Sequence, residues 1–151
     1  MIYFLVSQKE ILGVEEKKLK RKTSKSPTIG KIKDLSVVNG CGCEFVYIKS
    51  PTKYVFVIND AERTAWININ GKYVELKRVE DRNDESFERK IGSEFTSIYE
   101  AAGIKILIVF TITGFCTYDP ECGVTYYKSS ITVEKDSSRQ TIKTRGYCSC
   151  T

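Results

Sequence analysis

The chain contains no histidine. The commonest general base, the commonest metal ligand and the usual switch near neutral pH are therefore missing. Ser-His-Asp and Cys-His catalysis cannot be assembled from its own residues. Tryptophan and methionine each occur once and proline three times. Long apolar runs are also absent. The best stretch, residues 104–112, is too short for a membrane helix, which needs about 20 apolar residues, and it contains Lys105. No export signal is visible either. Residues 2–6 are apolar, whereas a secretory leader needs a basic start, ~7–15 apolar residues and small residues at a cleavage point.

Charge asymmetry is missing where a nucleic-acid binder would need it. The net charge is +5, but residues 1–39 carry nine Lys/Arg against four Asp/Glu, and residues 40–151 carry fifteen of each. The excess lies in the N-terminal region, so no DNA or RNA partner is expected for the rest. The run Lys17-Lys18-Leu19-Lys20-Arg21-Lys22 reads as a solvated leader with some affinity for phosphate or anionic lipid. Two regions are expected: a basic tail over 1–38, partly disordered or forming a short helix over 8–22, and a cysteine-framed domain over 39–151. The second is about the size of an ordinary single domain.

What is present is β signal. Residues 44–48 and 54–58 are rich in β-branched and aromatic side chains, with Ser50-Pro51-Thr52 reading as the turn between them. Residues 64–69 and 72–77 flank Asn70-Gly71, the sequence a two-residue hairpin turn favours. Residues 80–90 read as a charged connection and 95–99 as a strand entering Ala101-Ala102-Gly103. Residues 104–115 alternate Ile104, Ile106, Ile108, Phe110 and Ile112 against a mixed face, and period two argues strand. Residues 125–135, a turn at Asp136-Ser137-Ser138 and residues 140–147 complete the set. The pattern predicts an all-β fold, an antiparallel sandwich or small barrel of seven to eight strands.

Six cysteines frame that domain: Cys41 and Cys43 at its start, Cys116 and Cys122 within, Cys148 and Cys150 at its end. Six allow fifteen pairings. Cys116 and Cys122 enclose a short segment with Asp119-Pro120, which a turn can close. Residues i and i+2 of a strand share a side, so adjacent first and last strands would join Cys41 and Cys43 to Cys148 and Cys150, in either order. Such bridges suit an oxidising compartment. The competing reading is a structural zinc held by Cys41, Cys43, Cys148 and Cys150; typical zinc spacing is C-x₂₋₄-C rather than C-x-C. A catalytic thiol lacks a histidine to activate it.

Asn39-Gly40-Cys41-Gly42-Cys43, Ala65-Trp66-Ile67-Asn68-Ile69-Asn70-Gly71-Lys72, Cys116 to Cys122 and Gly146-Tyr147-Cys148-Ser149-Cys150 together resemble a group of uncharacterised bacterial exported β-domain proteins with paired C-x-C ends. The resemblance spans about residues 39–150. It implies a secreted, periplasmic or cell-envelope location and no particular reaction.

Tyr118, Asp119 and Glu121 are candidate binding residues, because a bridge between Cys116 and Cys122 would pin their loop and lower the ordering cost of binding. Trp66 is a candidate too. It shares a strand face with Asn68 and Asn70, while Ile67 and Ile69 take the other. Tyr126, Tyr127 and Tyr147 add aromatic surface. Asp60 with Glu62, or Asp119 with Glu121, would be the carboxylates of a small hydrolase; a solvated turn is the plainer reading. Asp81, Asp84, Glu85 and Glu88, interleaved with Arg82 and Arg89, read as an exposed loop. The expected function is a non-enzymatic binding module with a protein or glycan partner, one version being an inhibitor of a hydrolase. It needs no cofactor and has no transmembrane segment. The alternative is a zinc-stabilised intracellular β-module with a structural or adaptor role.

Overall fold

A computed structural model describes residues 25–36, 38, 40–83, 89–116 and 122–150. All regular structure among them is β: β1 (Ile29–Gly30), β2 (Gly42–Tyr47), β3 (Ser50–Asn59), β4 (Thr64–Ile69), β5 (Lys72–Arg82), β6 (Glu94–Ala101), β7 (Ile104–Phe115), β8 (Thr125–Lys135) and β9 (Ser138–Ser149). From β2 to β9 each strand pairs antiparallel with the next, and β9 returns to pair with β2. The result is a closed eight-stranded up-and-down barrel with β1 as an extra strand, so of the two expected architectures the barrel is the one formed. Closure removes the free sheet edges that an open sheet would have to protect.

Period two fills the inside. In β7, Ile104, Ile106, Ile108, Phe110 and Ile112 are all buried, and they meet Phe45, Phe56, Ile67, Leu76, Tyr99, Ile131 and Val133 from the other staves. The outer face carries Lys77, Glu100, Lys105, Lys128, Glu134, Lys143 and Arg145. A lipid-facing barrel would show an apolar band there. Gly146 sits opposite Phe45. A Cβ at that position would meet the Glu44 carbonyl oxygen and come within 2.6 Å of the Phe45 ring, so only glycine lets the two staves close over it.

The two ends of the barrel differ. At one end four two-residue turns join the strands: Ile48-Lys49, Asn70-Gly71, Ala102-Gly103 and Asp136-Ser137. Asn70 and Gly71 have φ of 53° and 83°, the geometry expected of that hairpin. Asp136 and Ser137 also take positive φ, which short polar side chains tolerate. At the other end lie the longer connections, β3 to β4, β5 to β6 and β7 to β8, together with the start of β2 and the end of β9.

Three expectations change. Ser50-Pro51-Thr52 is not the turn but the start of β3. Proline is accepted there because β4 pairs with β3 only from Phe56 onward, leaving this stretch an edge. β5 runs on to Arg82, so residues 80–82 are strand rather than loop. Finally, the end of the expected tail belongs to the barrel. Where β3 departs from β4, β1 takes its place, Ile29 opposite Ile69 and Gly30 opposite Asn68. Asn70 locks this arrangement, donating its amide to the Thr28 carbonyl and accepting the Thr28 amide on Oδ1 at 2.9 Å. Ile29 and Ile32 are buried, and the Ile32 amide donates to the Tyr54 carbonyl at 2.8 Å. The helix expected over 8–22 lies outside the described residues.

A candidate ligand cavity at the open end of the barrel

The long-connection end holds a cavity of about 450 Å³. Its floor is aromatic. Phe110 stacks on Phe95 with ring centroids 4.6 Å apart, and Tyr127 stands edge-on to both at 5.7 and 5.8 Å. One wall is sulfur. Cys43 lies directly opposite Cys148, and the same register carries on to set Cys41 opposite Cys150. Both pairs are disulfides, 43–148 and 41–150, and Cys116 is bonded to Cys122 at the rim. The expected joining of first and last strands is therefore formed, and the register settles its order. All four sulfurs of the C-x-C pairs are bonded to one another, so they are not the thiolate ligands that the zinc reading required.

The facing wall is charged. Arg78 on β5 donates from Nη1 to Asp60 Oδ1 at 2.8 Å, and its Nε lies 3.8 Å from Asp81 Oδ2. That Nε is buried and makes no hydrogen bond among the described residues. Ser97 donates its hydroxyl to Asp81 Oδ1 at 2.6 Å. Burial works against the Arg78 cation, and Tyr99, Asp60 and Asp81 around it more than offset that loss, so it stays charged. Further round the rim, Arg89 Nη2 donates to Thr125 Oγ1 at 3.0 Å and to the Tyr127 hydroxyl at 3.4 Å.

A β-bulge makes this wall. Arg78 pairs with Tyr99 and Glu80 with Ile98, leaving Val79 as an extra residue, half exposed on the outside. Strict alternation would put Arg78 and Asp81 on opposite faces. The inserted residue turns Asp81 inward, opposite Ser97, as bulges at barrel rims do. Sequence reasoning placed Asp81 in an exposed loop and passed over Arg78; no local signal marks the bulge.

Of the sequence candidates, Asp60 reaches the cavity but is committed to Arg78. Glu62 is exposed in the β3–β4 turn, its amide held by Asn59 Oδ1 at 3.3 Å. Trp66 is half-buried on the outer wall, opposite Val57 and Glu75, and away from the cavity. Tyr118, Asp119 and Glu121 lie outside the described residues, and with them the contact loop of the hydrolase-inhibitor reading. Among the described residues no cluster of His, Cys, Asp or Glu is arranged to hold a metal. No helix among them is long and apolar enough to cross a membrane. Compared with protein-family models, with curated proteins and with solved structures, the chain matches none.

Tyr99 gives the site a pH signature. It is almost fully buried, and burial pushes its hydroxyl well above the ordinary tyrosine range. A tyrosine whose folded pKa exceeds its unfolded value of about 10 favours folding below that value, and the gain is lost as pH rises above it. Stability is therefore expected to fall as pH climbs past about 10. Denaturant midpoints on either side of that pH check this. Tyr99→Phe should flatten the decline, and an unchanged slope would refute the assignment.

Proposed function

We propose that the protein is a non-enzymatic binding module that takes a small amphiphilic ligand into the open end of its barrel, in an oxidising, extracytoplasmic setting. One observation carries the reading: a cavity with an aromatic floor and a polar rim, in the place where eight-stranded barrels bind single small ligands. Its volume falls in the range of ordinary ligand pockets, roughly 300–1,000 Å³. The apolar part of the ligand would lie on Phe95, Phe110 and Tyr127. Its polar end would meet Arg89, Thr125 and the Arg78–Asp60 pair. Three disulfides are compatible with a secreted or extracellular protein.

Gly123 supplies the test. It lines the cavity, and a Cβ there would touch nothing within 4 Å among the described residues. Gly123→Trp should therefore fill the mouth without disturbing the fold. Anilinonaphthalene sulfonate is the probe. The native protein should bind one equivalent saturably, and Gly123→Trp should weaken this by roughly tenfold or more, about 1.4 kcal/mol, at unchanged Tm. No saturable binding, or equal binding by the filled variant, would remove the proposal.

A further inference from the structure

We propose a second, independent site: the outer face of β9 and its neighbours binds a polysaccharide carrying uronic acid groups.

In one band across the outer face of β5 to β9, cations face carboxylates. Lys77 is opposite Glu100, Glu100 opposite Lys105, Lys105 opposite Glu134, and Glu134 opposite Arg139. This is the favourable arrangement for cross-strand pairs. Nearer the disulfide end of β8 and β9 the rule is broken. Lys128 lies directly opposite Arg145, and Lys143 follows two residues from Arg145 on the same side of β9. Like charges opposed in this way are unfavourable. None of the three forms an ion pair among the described residues, whereas Arg63, Arg78, Arg82 and Arg139 all do. What sets this strip apart is the direct opposition of Lys128 and Arg145, with Lys143 beside them.

Aromatic rings flank the strip. Tyr126 lies opposite Tyr147, with ring centroids 6.5 Å apart, and both are well exposed at 46% and 37%. Tyr147 is held in place, its hydroxyl donating to Glu44 Oε2 at 2.8 Å. That bond, followed by burial, pushes its pKa up to about 12, so it remains a neutral donor. Among the described residues Glu44 is the one carboxylate lining this depression, whose volume is about 400 Å³, and Tyr54 lines it too. A second depression of about 490 Å³ carries Lys49, Lys53 and Lys143.

Exposed rings beside closely spaced cations fit a chain of sugars. The C–H faces of the sugars lie on the tyrosines, and their carboxylates offset the Lys128–Arg145 repulsion. The few cations, interspersed with Ser130, Thr113 and the tyrosine hydroxyls, suit one anion per sugar. The Tyr126 and Tyr147 planes are tilted by 55°, so they do not form the parallel platform on which successive nucleic-acid bases stack. The face lies on the outer wall and shares no requirement with the cavity at the open end.

Affinity electrophoresis of the full chain in gels containing polygalacturonate, oligothymidylate or neutral dextran tests this. Polygalacturonate should retard the protein and dextran should not. The double variant Lys128→Ser/Arg145→Ser should lose roughly tenfold or more in affinity, about 1.4 kcal/mol, with Tm unchanged or raised because a repulsion has gone. Lys72→Ser/Lys77→Ser, both on β5 on the opposite wall, should bind as the native protein does. Four results would overturn the proposal: no retardation by polygalacturonate, equal loss in the opposite-wall variant, stronger retardation by oligothymidylate, or a drop in Tm of the first variant.

Discussion

Removing both C-x-C bridges, by Cys41→Ser/Cys43→Ser/Cys148→Ser/Cys150→Ser, is expected to cost about 7 kcal/mol, while removing either bridge alone costs only about 2 kcal/mol. The difference comes from nesting. Cys41–Cys150 and Cys43–Cys148 close loops separated by 109 and 105 residues in sequence. A loop of that length is worth roughly 4.7 kcal/mol in the chain-entropy model. Once one bridge has closed it, the other adds only a ring of about six residues, worth roughly 2 kcal/mol by the same relation. Each bridge thus insures the other. A single small domain has about 5–15 kcal/mol to lose, so the quadruple variant should be largely unfolded near body temperature and either pair variant folded. Denaturant midpoints of the three proteins check this. Equal, additive losses from the two pairs would show that strand pairing, and not loop closure, is what the bridges secure.

That staple also shows what was legible in the sequence. Period two in residues 104–115 and the Asn70-Gly71 turn identify strands because backbone geometry alone demands them. The C-x-C spacing puts two sulfurs on one side of a strand, which suffices to join first strand to last. It does not suffice to order them, because order depends on a register that distant residues fix. Sandwich and barrel share the same alternation, so closure was equally out of reach. The site was less legible than the fold. Val79 adds one residue to β5, and that slip brings Asp81 to the Arg78 wall. Nothing in Arg78-Val79-Glu80-Asp81 distinguishes a bulge from an even strand. Ile29 and Ile32 were hidden differently, by the lysines, Pro27 and Gly30 around them. That composition reads as linker, although two isoleucines suffice to plug the gap that β3 leaves beside β4.

Phe110→Ala is expected to cost about 3–5 kcal/mol, the range for a buried phenylalanine truncated to alanine. Phe110 is nearly fully buried and forms the floor of the cavity, stacked on Phe95 and within 5.6 Å of the Phe45 ring centroid. Its loss removes the divider between the open end and the core. Because Phe45, Phe95 and Tyr127 are each held by other rings or by hydrogen bonds, they cannot easily collapse into the space. The cavity should deepen and stay apolar, and apolar cavities of this kind take up small hydrophobic solutes. A ligand that binds only the folded state raises stability by mass action, about 2.7 kcal/mol at a hundredfold excess over Kd. Indole should therefore raise the Tm of Phe110→Ala in a concentration-dependent way and leave the native protein nearly unchanged. If the variant loses stability but indole restores none of it, the rings have closed over the gap, and the floor is a yielding one rather than the rigid platform that the proposed ligand needs.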